Sequence, residues 1–182
     1  NHYTEVDWDK NNSWLLDDMT DELAGDEAMS YEMPVDRAKF FRNRYNLEVN
    51  IPKIVHNETF VPVEKVAGIE GQLSNGDFVN VVRERNGGYW VGHTGLIAIG
   101  EDGTVNFLHS TPPKVREQPL QEYIRAHKER EERKPDSAHL AGFKFLRLRE
   151  DPVKNLKEID GPNAPVIHAP QQTGVTLLED AE

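Results

Sequence analysis

Cysteine is absent from the 182 residues, which excludes disulfides, thiolate metal ligands and a cysteine nucleophile within them. Basic charge is scarce. Lys and Arg number 21 against 32 Asp and Glu, a net charge of −11, and the bases form no long stripe outside one helix, so a polyanion such as nucleic acid is a poor partner. No window reaches the ~20 consecutive apolar residues of a membrane-spanning helix, and the hydrophobic content of 37% is modest. An initiator methionine and a signal segment are missing too: the sequence starts at Asn1 and reads as a processed product or a piece of something longer. Internal repeats are not apparent. The length suits one domain with a real core.

What is present falls into blocks. The opening NHYTEVDWDKNN reads as strand or loop, and WLLDDMTDELAG as one or two helical turns stopped by Gly25. MPVDRAKFFRNRYN predicts a helix with Pro34 in its first turn and Phe40, Phe41 and Tyr45 at helical spacing. From Leu47 to Gly71 short apolar runs are interrupted by Pro52 and Pro62, which places them at an edge or in loops. Three strands follow, FVNVVRE, VGHTGLIAIG and TVNFLHS, separated by turn residues, and they predict an antiparallel meander. KVRE adds a short strand. PLQEYIRAHKEREERK predicts a helix with Leu120, Tyr123, Ile124 and His127 on one side and a solvated end at Lys134. AGFKFLRLRE alternates Phe143 and Phe145 with Lys144, which predicts a strand with one wet face. After Asp151 prolines, glycines and acids dominate, an expected extended tail over 151–182 behind a domain over 1–150.

The chemistry-bearing stretch is GYWVGHTGLIAIGEDGTVNFLHSTPP, residues 88–113, with a histidine in each of two strands. His93 and His109 lie symmetrically about Glu101, inside the Gly-Glu-Asp-Gly turn. A loop centred there makes them direct cross-strand neighbours with Cβ atoms ~4.5–5.5 Å apart. Such a pair serves as a proton acceptor near pH 7 and the group that fixes its tautomer. It equally suits two metal ligands, with a carboxylate such as Asp77 completing the set, or two packed core residues. Gly92 and Gly95 beside His93 suggest close approach of another backbone or a ligand. Ser110 and Thr111 are candidates for bonding a substrate, although they also suit a turn before Pro112 and Pro113. His2, His56, His127, His139 and His168 show no partner pattern, and Asp77 reads most simply as a turn residue.

Taken in order, NGDFVNVV, HTGLIAIG, NFLHST, KVRE and PLQEYI resemble the second half of a papain-like, NlpC-type bacterial cell-wall hydrolase. With NHYTEVDWDKNN and GFKFLRLRE added, the chain resembles the N-acetylmuramoyl-L-alanine amidase-like family over roughly residues 1–150. The resemblance implies an α+β fold in which helices pack on an antiparallel sheet meander, incomplete at its N-terminus. It implies His93 as catalytic base and His109 as its orienter, with Ser110 and Thr111 near the substrate. It implies no cofactor and no metal, peptidoglycan or muropeptides as substrate, and a periplasmic or extracellular site of action.

In such enzymes a cysteine at a helix N-terminus attacks the amide carbonyl. The expectation is therefore that the nucleophile helix precedes Asn1 and that these residues alone are inactive. The implied reaction is hydrolysis of the amide between N-acetylmuramic acid and L-alanine. Two rivals remain: an endopeptidase of the same fold cutting between D-glutamate and a diamino acid, and a non-catalytic cell-wall-binding domain that uses Tyr3, Trp8, Trp14 and Trp90 as stacking platforms. A metallohydrolase is a third.

Overall fold

The computed structural model describes residues 4–159 and 176–177, with side chains as far as residue 155. The chain enters through a wide helical segment, Thr4–Asp9, where strand or loop was expected. Strand β1 (Leu16–Asp18) and helix α1 (Thr20–Ala24) follow, and Gly25 with φ +54° ends the helix as the sequence indicates. Next come β2 (Met29–Val35), α2 (Arg37–Tyr45), β3 (Leu47–Glu48), β4 (Ile54–Pro62) and α3 (Val66–Ile69). The second half contains β5 (Phe78–Arg85), β6 (Gly88–Ile99), β7 (Val105–Thr111), β8 (Lys114–Pro119), α4 (Leu120–Arg133) and β9 (His139–Leu148). Helix α5 (Pro152–Ile159) and strand β10 (Thr176–Leu177) complete the described elements.

Eight strands form one open antiparallel sheet, in the order β2-β4-β9-β5-β6-β7-β8, with β1 also paired to β9. This is the mixed α+β arrangement that the element pattern predicts. The last long strand in the sequence lies at the middle of the sheet, because β9 is paired with β5 along one side and with β4 and β1 in succession along the other. Val79, Val81, Ile97, Phe107, Phe143 and Phe145 point to one face, covered by Leu120, Tyr123 and Ile124 of α4 and by Val66 and Ile69 of α3. That apolar layer positions the candidate site, for Tyr123 touches both the core and the histidine hairpin.

Several local expectations are corrected. Helix α2 starts at Arg37, capped by Asp36, whose carboxylate accepts from Lys39 N at 2.8 Å. Pro34 belongs instead to β2, an edge strand that tolerates a missing N–H. Phe40, Phe41 and Tyr45 pack on one another, and no residue of α2 is buried. The run from Ile54 to Pro62 is an interior strand: Pro52 precedes it and Pro62 is its final residue, so neither proline interrupts the ladder.

Strand β9 has no wet face. Lys144, only 2% exposed, stands opposite the phenylalanines and meets Glu58 Oε2 at 2.6 Å, Glu5 Oε1 at 3.0 Å and Asp18 Oδ2 at 3.5 Å. Of the tail expected after Asp151, the described part is helical at α5, where Asn155 Nδ2 donates to Trp14 O at 3.3 Å. Residues 176–177 pair with β3. The glycines and prolines of 161–170 lie outside the described residues, as do Tyr3, His2 and His168.

Candidate functional site

The β6–β7 hairpin closes one residue later than its turn signal suggests. Ile99 pairs with Val105 and Gly95 with His109, so the loop is centred on Asp102 instead of Glu101. The cause is local: Asp102 Oδ1 accepts from Thr104 N at 3.0 Å, Gly100 N donates to Thr104 O at 2.9 Å, and Gly103 takes φ +82°. Thr104 thereby joins the loop. His93 and His109 become diagonal neighbours, not direct ones, but they keep the same face because the shift in register is even.

The diagonal placement brings the rings together edge to face. His93 Nε2 lies 2.9 Å from His109 Nδ1, with ring centroids 5.0 Å apart and planes at 89°. His109 is stacked on Phe107 at 4.7 Å and 8°, and Tyr123 of α4 meets it edge-on at 5.4 Å. Thr111 Oγ1 lies 3.1 Å from His109 Nδ1. His109 Nε2 is buried with no hydrogen-bond partner among the described residues. His93, which lines a cleft, has its Nε2 held by His109, and no hydrogen bond to its Nδ1 is formed among the described residues.

Gly92 and Gly95 give this packing its room. A Cβ at Gly95 would fall 2.5 Å from the Phe107 ring and 2.6 Å from Leu108 O, so the bare backbone is what lets Phe107 reach His109. Gly92 is the extra residue of a β-bulge, since Val81 pairs with His93 while Val82 pairs with Val91. A Cβ there would meet Arg83 Cγ at 2.5 Å. The close approach expected at Gly95 thus comes from the backbone of Leu108 as well as the Phe107 ring, and that at Gly92 from the Arg83 side chain.

Across Gly92 the Arg83 guanidinium reaches α4, donating to Tyr123 OH at 3.2 Å and to His127 Nδ1 at 3.1 Å. His127 was given no partner from the sequence, although its place beside Tyr123 on the apolar side of α4 was the signal that could have placed it here. With Ser110, Thr111, Arg116 and Arg130, these groups line a cleft of ≈ 630 Å³. Ser110 is an exposed wall residue and makes no contact with either imidazole among the described hydrogen bonds.

The electrostatics favour neutral imidazoles. Burial, then His109, then Arg83 hold His93 below the usual histidine range, and burial and Arg116 do the same for His109. His127 is pushed down to about 4, first by burial and then by Arg83. At neutral pH the cleft thus presents unprotonated imidazoles able to accept a proton. Asp77 takes no part: its carboxylate receives Arg147 at 2.8 and 2.7 Å and Ser74 N at 2.7 Å. Among the described residues no three His, Asp or Glu side chains are grouped as a metal-ligand set.

Residues 1–130 match the AmiA-like family, described as N-acetylmuramoyl-L-alanine amidase-like. Among curated proteins none matches the chain. Two crystal structures of an N-acetylmuramoyl-L-alanine amidase from Bacteroides uniformis ATCC 8492 share its fold, each with a TM-score of 0.57 over 80% of this chain, at 15% and 17% identity. The chain spans 63% and 64% of the length of those two proteins. The matched segment carries both histidine strands and most of α4, and on that match the chain belongs to the N-acetylmuramoyl-L-alanine amidase-like family.

Proposed function

We propose that this chain supplies the histidine half of a cysteine-dependent peptidoglycan amidase with a papain-like, NlpC-type site, acting in the periplasm or outside the cell. The observation that carries the reading is the 2.9 Å approach of His93 Nε2 to His109 Nδ1. A thiol facing His93 Nδ1 gives up its proton there, and the thiolate attacks the carbonyl of the amide that joins N-acetylmuramic acid to L-alanine. The resulting imidazolium donates Nε2–H to His109 Nδ1, which keeps the ring in place while Nδ1–H protonates the leaving amine. Water, deprotonated by the same imidazole, then releases the acyl group as a carboxylate and restores the thiol. The depressed basicity of His93 makes its imidazolium a ready donor to the leaving amine, while it weakens the neutral ring as acceptor of the thiol proton.

In this reading the cysteine comes from a segment outside the 182 residues, at a helix N-terminus. The coding sequence upstream of Asn1 tests it first, and the absence of any cysteine at a helix start there would sink the catalytic claim. In a cysteine-containing protein, His93→Ala is expected to slow muropeptide hydrolysis by about 10²–10⁴-fold, the usual contribution of a positioned acid-base group. Product analysis decides the bond: separation of the sugar from the whole peptide supports the amidase, and a cut inside the peptide supports the endopeptidase.

A further inference from the structure

The cleft holds three arginines drawn from three elements, Arg83 of β5, Arg116 of β8 and Arg130 of α4, and among the described residues no Asp or Glu lines it. That is an unusual wall for a chain of net charge −11. Elsewhere Arg37, Arg42, Arg125, Arg147 and Arg149 each have a carboxylate within 4.0 Å, while Arg44, Arg85 and Arg133, scattered outside the cleft, have none among the described residues. Among the described residues the three cleft arginines have none. Arg83 is oriented without being neutralised, since its partners are a phenol and an imidazole. Burial also raises Tyr123 above its ordinary value, so the phenol stays uncharged. Arg116 and Arg130 are exposed. Their positive field acts on the imidazoles of the same cleft: Arg116 lowers His109, and Arg130 lowers His127. A planar guanidinium fork matches a carboxylate in two parallel hydrogen bonds, and a fork already held in place loses little freedom on binding.

We propose that Arg83, Arg116 and Arg130 form a carboxylate-recognition subsite beside His93, which selects the acidic stem peptide of the substrate and not its neutral sugar. This rests on the peptidoglycan reading for the identity of the peptide, but not for the anion chemistry. Arg83 sets the position of the carboxylate, and the two exposed arginines at the wall draw it in.

The 182-residue chain itself can be titrated with the dipeptide L-alanyl-D-glutamate, with the same dipeptide amidated at both carboxyls, and with inorganic phosphate, following the imidazole C2–H resonances of His93, His109 and His127 by NMR. The free dipeptide is expected to shift His127 and His93 and to move the titration midpoint of His127 upward, while the diamide binds at least tenfold more weakly. The double substitution Arg116→Gln/Arg130→Gln, on the exposed wall, should weaken the free dipeptide at least tenfold. Arg83→Gln should abolish its effect on His127, with Arg83→Lys restoring only part. Equal binding of dipeptide and diamide, unchanged affinity in the double variant, or phosphate binding as tight as the dipeptide would overturn the proposal. None of these readouts needs catalysis. A cysteine-containing protein that binds the dipeptide as expected yet leaves muropeptides intact would sink the amidase reading and leave the subsite standing.

Discussion

His127 shows how a single side chain reports the character of the cleft. In the folded protein it takes up a proton only near pH 4, against the ordinary 6.5, because burial and then Arg83 disfavour its cation. The unfolded chain therefore binds more protons between those two values, and stability falls as pH drops from about 6.5 through about 4. An NMR titration of its C2–H should place the midpoint near 4. Arg83→Met should raise that midpoint toward the ordinary value without reaching it, since burial remains the larger cause. A midpoint unchanged by the substitution would mean that Arg83 does not act on His127. The partnership was hidden in the sequence because 44 residues separate the two, and the bare backbone of Gly92 leaves room for the Arg83 side chain.

At the scale of elements, the β6–β7 hairpin is both scaffold and site. Strand type and the shared face of the two histidines were legible in the alternation and the turn residues, while the first of the two strands starts at Gly88, three residues before the expected Val91. The register was not, because one hydrogen bond from Thr104 to Asp102 Oδ1 extends the loop and moves its centre. Gly95→Ala tests how far the packing depends on that register. The added methyl meets backbone as well as a ring, at 2.6 Å from Leu108 O and 2.5 Å from Phe107. Overpacking of this kind costs about 1–3 kcal/mol, read as a lowered urea midpoint, and the ring-current shift of His109 from Phe107 should change in the same variant. Phe107→Ala should cost about 3–5 kcal/mol, as for other fully buried aromatic side chains.

The whole molecule is joined by a polar cluster on the face of the sheet opposite α4. Lys144 of β9 gathers Glu58 of β4, Glu5 of the entering segment and Asp18 at the end of β1, and Tyr31 OH donates to Glu5 at 2.5 Å. Burial opposes the Lys144 charge, but Glu5, Asp18 and Glu58 outweigh it and hold the ammonium above its usual range. Lys144→Met would leave the buried Glu5 carboxyl without its cation, Glu58 keeping Lys10 at 2.7 Å, a change worth about 3–5 kcal/mol. The entering segment should then become accessible to protease, and unaltered urea and proteolysis profiles would deny the cluster its role. Asp9, bonded to Asn80 Nδ2 at 2.7 Å, is raised from 3.8 to about 6, chiefly by burial. Here the folded state binds the extra proton, so stability falls as pH rises across that window. Asp9→Asn should gain on the parent protein between pH 4 and pH 7 in urea midpoint, with the difference growing as pH rises.

By itself the sequence determined whatever depends on neighbours along the chain. Alternation and turn residues specify the meander, the apolar side of α4 specifies its buried face, and the order of short motifs around His93 and His109 specifies the family. Tertiary structure decided what depends on contacts between distant segments. The wet face expected of β9 is covered because Glu5 and Glu58, 139 and 86 residues away from Lys144 along the chain, are folded over it. The interior place of β4 follows from its pairing with the late strand β9, a partner no local pattern announces. The arginine wall beside the histidines exists only where β5, β8 and α4 converge, since charges far apart in sequence acquire a common field only when folding brings them within a few ångströms of one cleft.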